Sequence, residues 1–426
     1  MSDRRPAFKL RAGPAPASAD LVVIGAGVIG CATAFFATAA GLRTVVLDAR
    51  PQPATLTTAA ATGAYRLQHD NLEELNLVRE GVDLFLDFAQ RTGLPGYDIR
   101  LRPQGYLFCT TEPAGIDRQR RMVERQHGFG LTDVELLSGD ETRARFAHIS
   151  PEVVSARFRA GDGFIDQVRV ALGYALAASN GAGVERPAAT GQATFCLGER
   201  ATGLRIIGDR VVAVETRHVS IATPLVVLAT GPFLAQTAEL AGLSLALAPT
   251  ARQKVLVPDL PAVPPDAPMT IDDETGAHWR PWLLGALALH TDHGTPPGAP
   301  SWSPPAPADA GFRLLDPASP VSVARISPFW ADAWRAGGVS FTVQGGQYEI
   351  TPDRRPYVSA SPVRGLWVNG GYSGHGVMGS AGGSRLLIDL ITGRSTAPVG
   401  GLRADPDGRS PFRLDREFIE RERDVL

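Results

Sequence analysis

The spacing of apolar residues changes repeatedly along the chain, and each change marks an element. Leu21 to Ile24 is an unbroken apolar run, as expected of a strand buried on both faces. GAGVIG follows as a turn, and an Ala-rich segment keeps helical spacing to Ala40, where Gly41 ends it. TVVL (Thr44 to Leu47) is a second buried strand that stops on the acidic Asp48, so residues 21–48 form a compact βαβ unit. Helical spacing returns between Asn71 and Gln90 through Leu72, Leu75, Leu77, Val78, Val82, Leu84, Phe85 and Phe88. Gln104 to Phe108 reads as a strand, and a charged helix follows around Gly115 to His127.

Beyond Gly161 a loop feeds a helix that ends at a glycine, and two short strands (Leu204 to Ile207, Val211 to Thr216) follow across a Gly-Asp turn. Leu225 to Gly231, LVVLATG, is an apolar strand whose small C-terminal residues suit close approach to a ligand. Residues 250–345 hold strands, a Pro-rich stretch at 293–311 that predicts an exposed irregular loop, and a helix around Trp330 to Trp334. Finally, GLWVNGGYSGHGVMGSAGGSRLLIDLITG (365–393) carries a strand into a glycine-rich loop and then a helix capped by Gly393.

A chain of 426 residues exceeds the usual reach of one hydrophobic core, so two domains are expected. The returns of βα patterning assign 20–96, 161–237 and 352–395 to a discontinuous nucleotide domain and 97–160 with 238–351 to a substrate domain. Residues 1–19 read as a mobile tail and 396–426 as a charged surface extension. With 44% hydrophobic and 20% charged residues and a net charge of −2, the composition is that of a soluble globular protein. It gives no reason to expect nucleic acid or an acidic membrane as partner. Cys31, Cys109 and Cys196 are far apart with no metal-ligand spacing, and no signal-like or membrane-spanning apolar segment is present, so a cytoplasmic location and no metal are expected. Lys9 and Lys254 are the only lysines.

The βαβ unit carries the first chemistry. Gly25 permits the tight turn, Gly27 lets backbone approach a pyrophosphate, and Gly30 lets the helix pack on its strand, with Ala26, Val28 and Ile29 between them. The helix N-terminus offers N–H groups and a partial positive charge to phosphates. Asp48, 18 residues past Gly30, stands where an acid meets the adenosine ribose. NAD and FAD share that ADP half. The second helix N-terminus, in the SGHG segment, separates them, since it suits the negative charge of a reduced flavin and has no task in an NAD-dependent dehydrogenase.

GAGVIG with Asp48, TAAATGAYR, LATGP (228–232), YEITPD and GGYSGHGVMGSAGG together resemble the flavoprotein family of D-amino-acid oxidase, glycine oxidase and sarcosine oxidase, nearest the sarcosine oxidase branch with its β-subunit-type members. The resemblance runs from about Leu21 to Gly393. It implies a doubly wound, Rossmann-type α/β FAD domain with an antiparallel-sheet (α+β) substrate domain, and oxidation of the C–N bond of an amine or amino acid, with secondary, N-methyl or cyclic amino acids favoured. It implies that Gly25, Gly27, Gly30 and Asp48 hold the ADP half beside Ala49 and Arg50. Ala61, Thr62, Arg66, Ala229, Thr230 and Gly231 would line the flavin, Gly374, His375, Gly376, Val377 and Met378 would pass its pyrimidine edge, and Tyr348 would stand on the substrate side.

Three departures from the family pattern shape the expectations. Gly346 replaces the cysteine that bonds the flavin in monomeric sarcosine oxidases, so FAD should be held non-covalently. Met378 replaces a lysine that holds the substrate carboxylate. WLLGALALH, ending at His290, lacks the lysine that promotes reaction with oxygen, which favours another electron carrier. A substrate carboxylate then needs arginine, and Arg66, Arg280 and Arg354 are in the right neighbourhoods, with His278, Trp279 and His290 on a segment bordering the pocket. Other readings are a D-amino-acid or glycine oxidase and a catalytically altered flavoprotein subunit or assembly factor. A homo- or hetero-oligomer fits either.

Overall fold

A computed structural model describes residues 8–181, 191–394, 401–404 and 408–419. The buried apolar runs build a six-stranded sheet in the order Tyr357–Ala360, Leu366–Gly370, Val226–Leu228, Leu21–Ile24, Thr44–Asp48, Ala193–Leu197. All neighbours pair in parallel except the edge strand Tyr357–Ala360. Side-chain alternation splits its core in two. Leu21, Val23, Val46 and Val227 face the helices Val28–Ala39, Leu72–Leu86, Gln167–Asn180 and Gly376–Thr392. Val22, Ile24, Val45 and Leu47 face a small antiparallel sheet made of Ala201–Ile207, Arg210–Thr216 and Ser220–Ala222. Both faces are therefore covered, as a parallel sheet requires.

The second layer is an eight-stranded sheet ordered Thr342–Ile350, Ala248–Val257, Gly285–His290, Ala277–Trp282, Met269–Asp272, Tyr106–Thr110, Ser155–Arg159, Glu135–Ser138. It is antiparallel except where Met269–Asp272 meets Tyr106–Thr110. Here too alternation assigns the faces. Ala277 and Trp279 join a core with Leu314, Leu315 and Trp330, while Tyr106, Phe108, Met269 and Ile271 form a separate cluster with Ala64 of the nucleotide-binding half. His278 and Arg280 alternate with Ala277 and Trp279 and so turn toward that second face.

Local chemistry fixes several boundaries. The amphipathic helix expected over 71–90 starts on Asn71, whose Oδ1 accepts the Glu74 N–H at 2.8 Å, and it breaks at Asp87 into the short helix Phe88–Arg91. Residues 8–19, expected to be a mobile tail, instead run along the structure. The Gly13 N–H donates to Phe195 O and the Ala19 N–H to Ala222 O. In the C-terminal extension, Phe412 is fully buried and Arg416 pairs with the buried Asp353 at 2.8 Å, so that part packs on the body. The Pro-rich loop is irregular but anchored, with Trp302 stacked on Phe233 at 4.0 Å between ring centres. Among the described residues, no helix is long and apolar enough to cross a membrane.

Candidate functional site

The βαβ unit closes as its glycines demand. Gly25 has φ +109°, and a Cβ there would lie 2.3 Å from Ala229 O. A Cβ on Gly30 would lie 1.8 Å from Gly25 O. Asp48 is half-buried beside the turn, accepting from the Ala26 N–H at 2.6 Å and the Arg50 N–H at 2.8 Å. Burial pushes its carboxyl pKa upward against these two bonds. The Val28 N–H, at the helix N-terminus, donates to Thr58 Oγ1 at 3.1 Å.

Above this turn runs a cleft of about 600 Å³. Gly25, Gly27, Val28, Ile29, Asp48, Ala49, Arg50, Ala61, Ala229, Thr230, Gly231, Gly374, Gly376 and Val377 line it. Gly27 faces open space, since a Cβ there would approach only Thr58 Oγ1, at 3.5 Å. Ala26 and Gly30 support the cleft from beneath through the contacts just given. Sequence reasoning missed Thr58, Trp302, Phe233 and Glu349 among its lining residues. Glu349 is adjacent to Tyr348 in the quoted YEITPD, and burial raises its pKa to about 7. Trp302 reaches the cleft from the Pro-rich loop and accepts a hydrogen bond from Arg50 Nη1 on its carbonyl, an approach without a local sequence signal.

The far end of the cleft is the glycine-rich turn. Gly371, Ser373 and Gly374 all have positive φ, and a Cβ on Gly374 would meet the Tyr348 ring at 2.9 Å. The Tyr372 hydroxyl donates to Asn369 Oδ1 at 2.6 Å, and Asn369 donates to Thr33 and Ser384, tying the turn to both of its helices. The first N–H groups of helix Gly376–Thr392 have no carbonyl within the helix and face this end.

Here a second, smaller pocket of about 80 Å³ joins the cleft, sharing Ala61, Tyr348, Gly374 and Val377 with it. Thr62, Arg66, His375 and Met378 line this pocket rather than the cleft, together with Tyr106, Arg252, His278, His293 and Arg354. Arg66 is 2% exposed; its Nη1 donates to Gln68 O at 2.6 Å, and its guanidinium lies 5.9 and 5.6 Å from the ring centres of Tyr106 and Phe108. Arg252 lies 5.8 Å from the Tyr348 ring centre, and Arg354 Nη2 donates to His293 Nδ1 at 2.8 Å. Burial holds the His278 pKa down to about 4, so that ring is neutral at pH 7.

His375 Nδ1–H donates to the buried Glu74 Oε1 at 2.5 Å, which leaves Nε2 toward Arg66 Nη2 at 3.5 Å. With His69 these side chains bring three potential metal ligands within 4.8 Å. The short hydrogen bond and the neighbouring guanidinium make them a charge-linked chain, Glu74–His375–Arg66, since a cation would meet the Arg66 charge.

Two expected substrate residues lie elsewhere. Arg280 Nε and Nη2 both donate to Thr62 O, at 2.9 and 2.5 Å, so its head is held behind the loop that borders the small pocket. His290 Nε2 donates to Thr275 O at 3.0 Å and lines a different small cavity with Asp292 and Arg313. Arg252, which the sequence did not single out, takes the place expected for Arg280.

The chain is 25% identical over 394 residues to sarcosine dehydrogenase, mitochondrial, of Mus musculus, covering 89% of this chain and 40% of that protein. It is 30% identical over 326 residues to D-amino acid dehydrogenase of Cereibacter sphaeroides, covering 74% of this chain and 66% of that protein. Among solved structures, glycine oxidase from Geobacillus kaustophilus superposes with a TM-score of 0.77 at 22% identity, over 94% of this chain and all of that one. L-proline dehydrogenase from P. horikoshii does so with a TM-score of 0.76 at 21% identity, over 90% and 96%. Residues 20–390 match the model of the FAD dependent oxidoreductase (DAO) family, and the chain belongs to that family as an FAD-dependent enzyme.

Proposed function

We propose that this enzyme oxidises the C–N bond of a small amino acid, with secondary, N-methyl or cyclic amino acids favoured, and passes the electrons to a carrier other than oxygen. The observation that carries this reading is the small pocket where the cleft ends, with the Arg66, Arg252 and Arg354 side chains among its walls. Guanidinium groups grip a carboxylate through paired hydrogen bonds. Their charge also disfavours an ammonium beside them, so a bound amino acid is pushed toward the neutral amine whose lone pair is needed.

The residues above fit the group that the family implies. Gly25, Gly27, Val28 and Asp48 would hold the ADP half, and Ala61, Gly374, Val377 and Tyr348 would border the ring. FAD, when bound, would supply a two-electron acceptor for the hydride on the carbon beside nitrogen. The substrate nitrogen then shares its lone pair in a C=N bond, and water hydrolyses the imine to an amine and a carbonyl. Arg66 and its companions orient the carboxylate, and the neutral His278 adds no charge to the pocket. The helix N-terminus at Gly376–Met378 would favour negative charge on a reduced flavin held beside it.

The acceptor assignment rests on WLLGALALH, the segment ending at His290, which lacks the lysine of the family pattern. Met378, in the position of the carboxylate-holding lysine, lines the pocket without a charge and leaves the grip to arginine. Lys254 lines neither the cleft nor this pocket, its ammonium being held by the carbonyls of Ala59 and Ala61. Assay of N-methyl, cyclic and D-amino acids and simple amines should give faster turnover with an artificial acceptor dye than with oxygen. Rapid hydrogen peroxide formation would overturn the acceptor assignment, and flavin reduced only by alcohols or NADH would overturn the substrate class. The three cysteines are free and buried, in keeping with a cytoplasmic, reducing location.

FAD should also leave the protein on acid treatment. A Cβ at Gly346 would lie 2.7 Å from the Ala60 Cβ, so the position that carries a cysteine in the sarcosine oxidase pattern has no room for one. Cys31, Cys109 and Cys196 line neither the cleft nor the small pocket. Yellow colour that stays with the acid-precipitated chain would contradict non-covalent binding.

A further inference from the structure

A further cavity, of about 680 Å³, opens against the eight-stranded sheet and shares no lining residue with the cleft or the small pocket. Two cations stand in its wall, Lys254 and Arg280, only 5% and 6% exposed. Lys254 Nζ donates to Ala59 O at 3.1 Å and Ala61 O at 3.0 Å. Arg280 donates to Thr62 O through Nε and Nη2, and to Pro281 O through Nη1 at 2.9 Å. Every one of these hydrogen-bond partners is a neutral carbonyl, and the Arg280 guanidinium also lies 4.7 Å from the Phe164 ring centre. Of the donors each head carries, one ammonium N–H and two guanidinium N–H groups have no protein acceptor among the described residues.

Burying a charge without an opposite charge is costly, and two such cations near each other add repulsion. Both consequences are visible: burial and the neighbouring guanidinium lower the Lys254 pKa to about 8, and burial lowers that of Arg280 to about 10. The exposed Arg100 and Arg102 stand among the other lining residues, and the single carboxylate among the described lining residues, Asp166, lies 4.0 Å from Arg100 and offsets only part of the burial cost at Arg280. Gln104, Gln167 and Gln344 also line it, and the remaining wall is apolar. Trp282 is half-buried, and Leu283 and Leu284 are 66% and 75% exposed on a turn where Leu283 has φ +54°. Leucines at such exposure, next to buried unpaired cations, describe a receptor for a molecule with both an anionic and an apolar part.

We propose that this cavity binds an organic anion, a carboxylate- or phosphate-bearing molecule whose acid group sits at Lys254 and Arg280 and whose apolar body lies against Trp282, Leu283 and Leu284. The site is separate from that of the amino acid substrate. Its acid end abuts the carbonyl side of the Ala59–Thr62 loop, whose Ala61 and Thr62 also line the small pocket, so occupancy is reported directly beside the flavin-binding loop.

The test uses the FAD-loaded full chain and calorimetric titration with octanoate, octyl phosphate, inorganic phosphate and the neutral octanamide. Octanoate, octyl phosphate or both should bind saturably, and which of them does so identifies carboxylate or phosphate as the acid group. Octanamide and inorganic phosphate should bind at least roughly tenfold more weakly, each lacking one half of the recognition. Lys254→Met should weaken binding about tenfold or more, while Arg100→Gln/Arg102→Gln, confined to exposed residues, should weaken it roughly two- to fivefold if Lys254→Met fails to fold. Arg66→Gln should leave the affinity unchanged. Absence of saturable binding by both amphipathic anions would overturn the proposal. So would octanamide binding as tightly as octanoate, anion affinity lost in Arg66→Gln, or anion affinity unchanged in both cavity variants.

Discussion

Arg66→Ala should raise the KM for an amino acid substrate by roughly 10²–10⁴-fold while FAD stays bound, because two charge-assisted hydrogen bonds of about 1.5–3 kcal/mol each are lost together. The side chain is already fixed for the task. Gln68 O holds Nη1, the rings of Tyr106 and Phe108 flank the guanidinium, and His375, anchored by Glu74, stands 3.5 Å from Nη2. A grip this preordered loses little freedom when the carboxylate arrives, which is why its removal should cost more than that of an exposed arginine. Arg66→Lys should fall between, since it keeps the charge and loses the two-pronged fork. Steady-state kinetics with FAD content measured on the same sample decide it. An unchanged KM in Arg66→Ala, with FAD content intact, would pass the role to Arg252 or Arg354.

The parts of this site that could be read from the sequence are those whose chemistry is local. Gly25, Gly30 and Asp48 lie within one supersecondary unit; Gly30 is dictated by its approach to Gly25 O and Asp48 by its bond from the Ala26 N–H inside that unit, while Gly25 also passes Ala229 O at the end of the neighbouring strand. The SGHG turn was legible because its strand, glycine-rich loop and helix are contiguous in the chain, although the Tyr348 ring that Gly374 lets pass comes from the other sheet. Long-range packing decided the rest. Alternation put His278 and Arg280 on one face, yet the Thr62 carbonyl, 218 residues away in the chain, turned Arg280 into a different cavity. Arg252 entered the pocket from the neighbouring strand of the sheet, on a register that no local pattern reveals. Trp302 belongs to a stretch whose proline content predicts exposure, and its stacking on Phe233 comes from tertiary contact alone. The N-terminal segment misled in a similar way. Its Pro and Ala content suits a mobile tail, but the edge strand Ala193–Leu197 and the small sheet offer backbone groups that it pairs with.

Asp48→Ala should weaken FAD binding by about 2–3 kcal/mol, or roughly 30–150-fold, through two losses that act at the same place. The carboxylate organises the turn before any nucleotide arrives, holding the Ala26 N–H and the Arg50 N–H on its two oxygens. Without it both amides are left unsatisfied in a buried setting, and the phosphate-facing turn loses its shape. The second loss is direct, since each carboxylate oxygen has a further lone pair toward the cleft that Asp48 lines, where ribose hydroxyls would otherwise be left unpaired. Asp48→Asn separates the two. Its amide oxygen can still accept one of the backbone N–H groups, while its NH2 faces the other as a second donor, so an intermediate loss is expected. Burial already raises the Asp48 pKa, so protonation at falling pH should reproduce the defect, with FAD affinity declining as the pH drops toward and through that raised value. Fluorescence titration of the apoprotein with FAD across pH, wild type beside both variants, measures all three effects. An Asp48→Ala protein that binds FAD as tightly as the wild type would remove Asp48 from the nucleotide site.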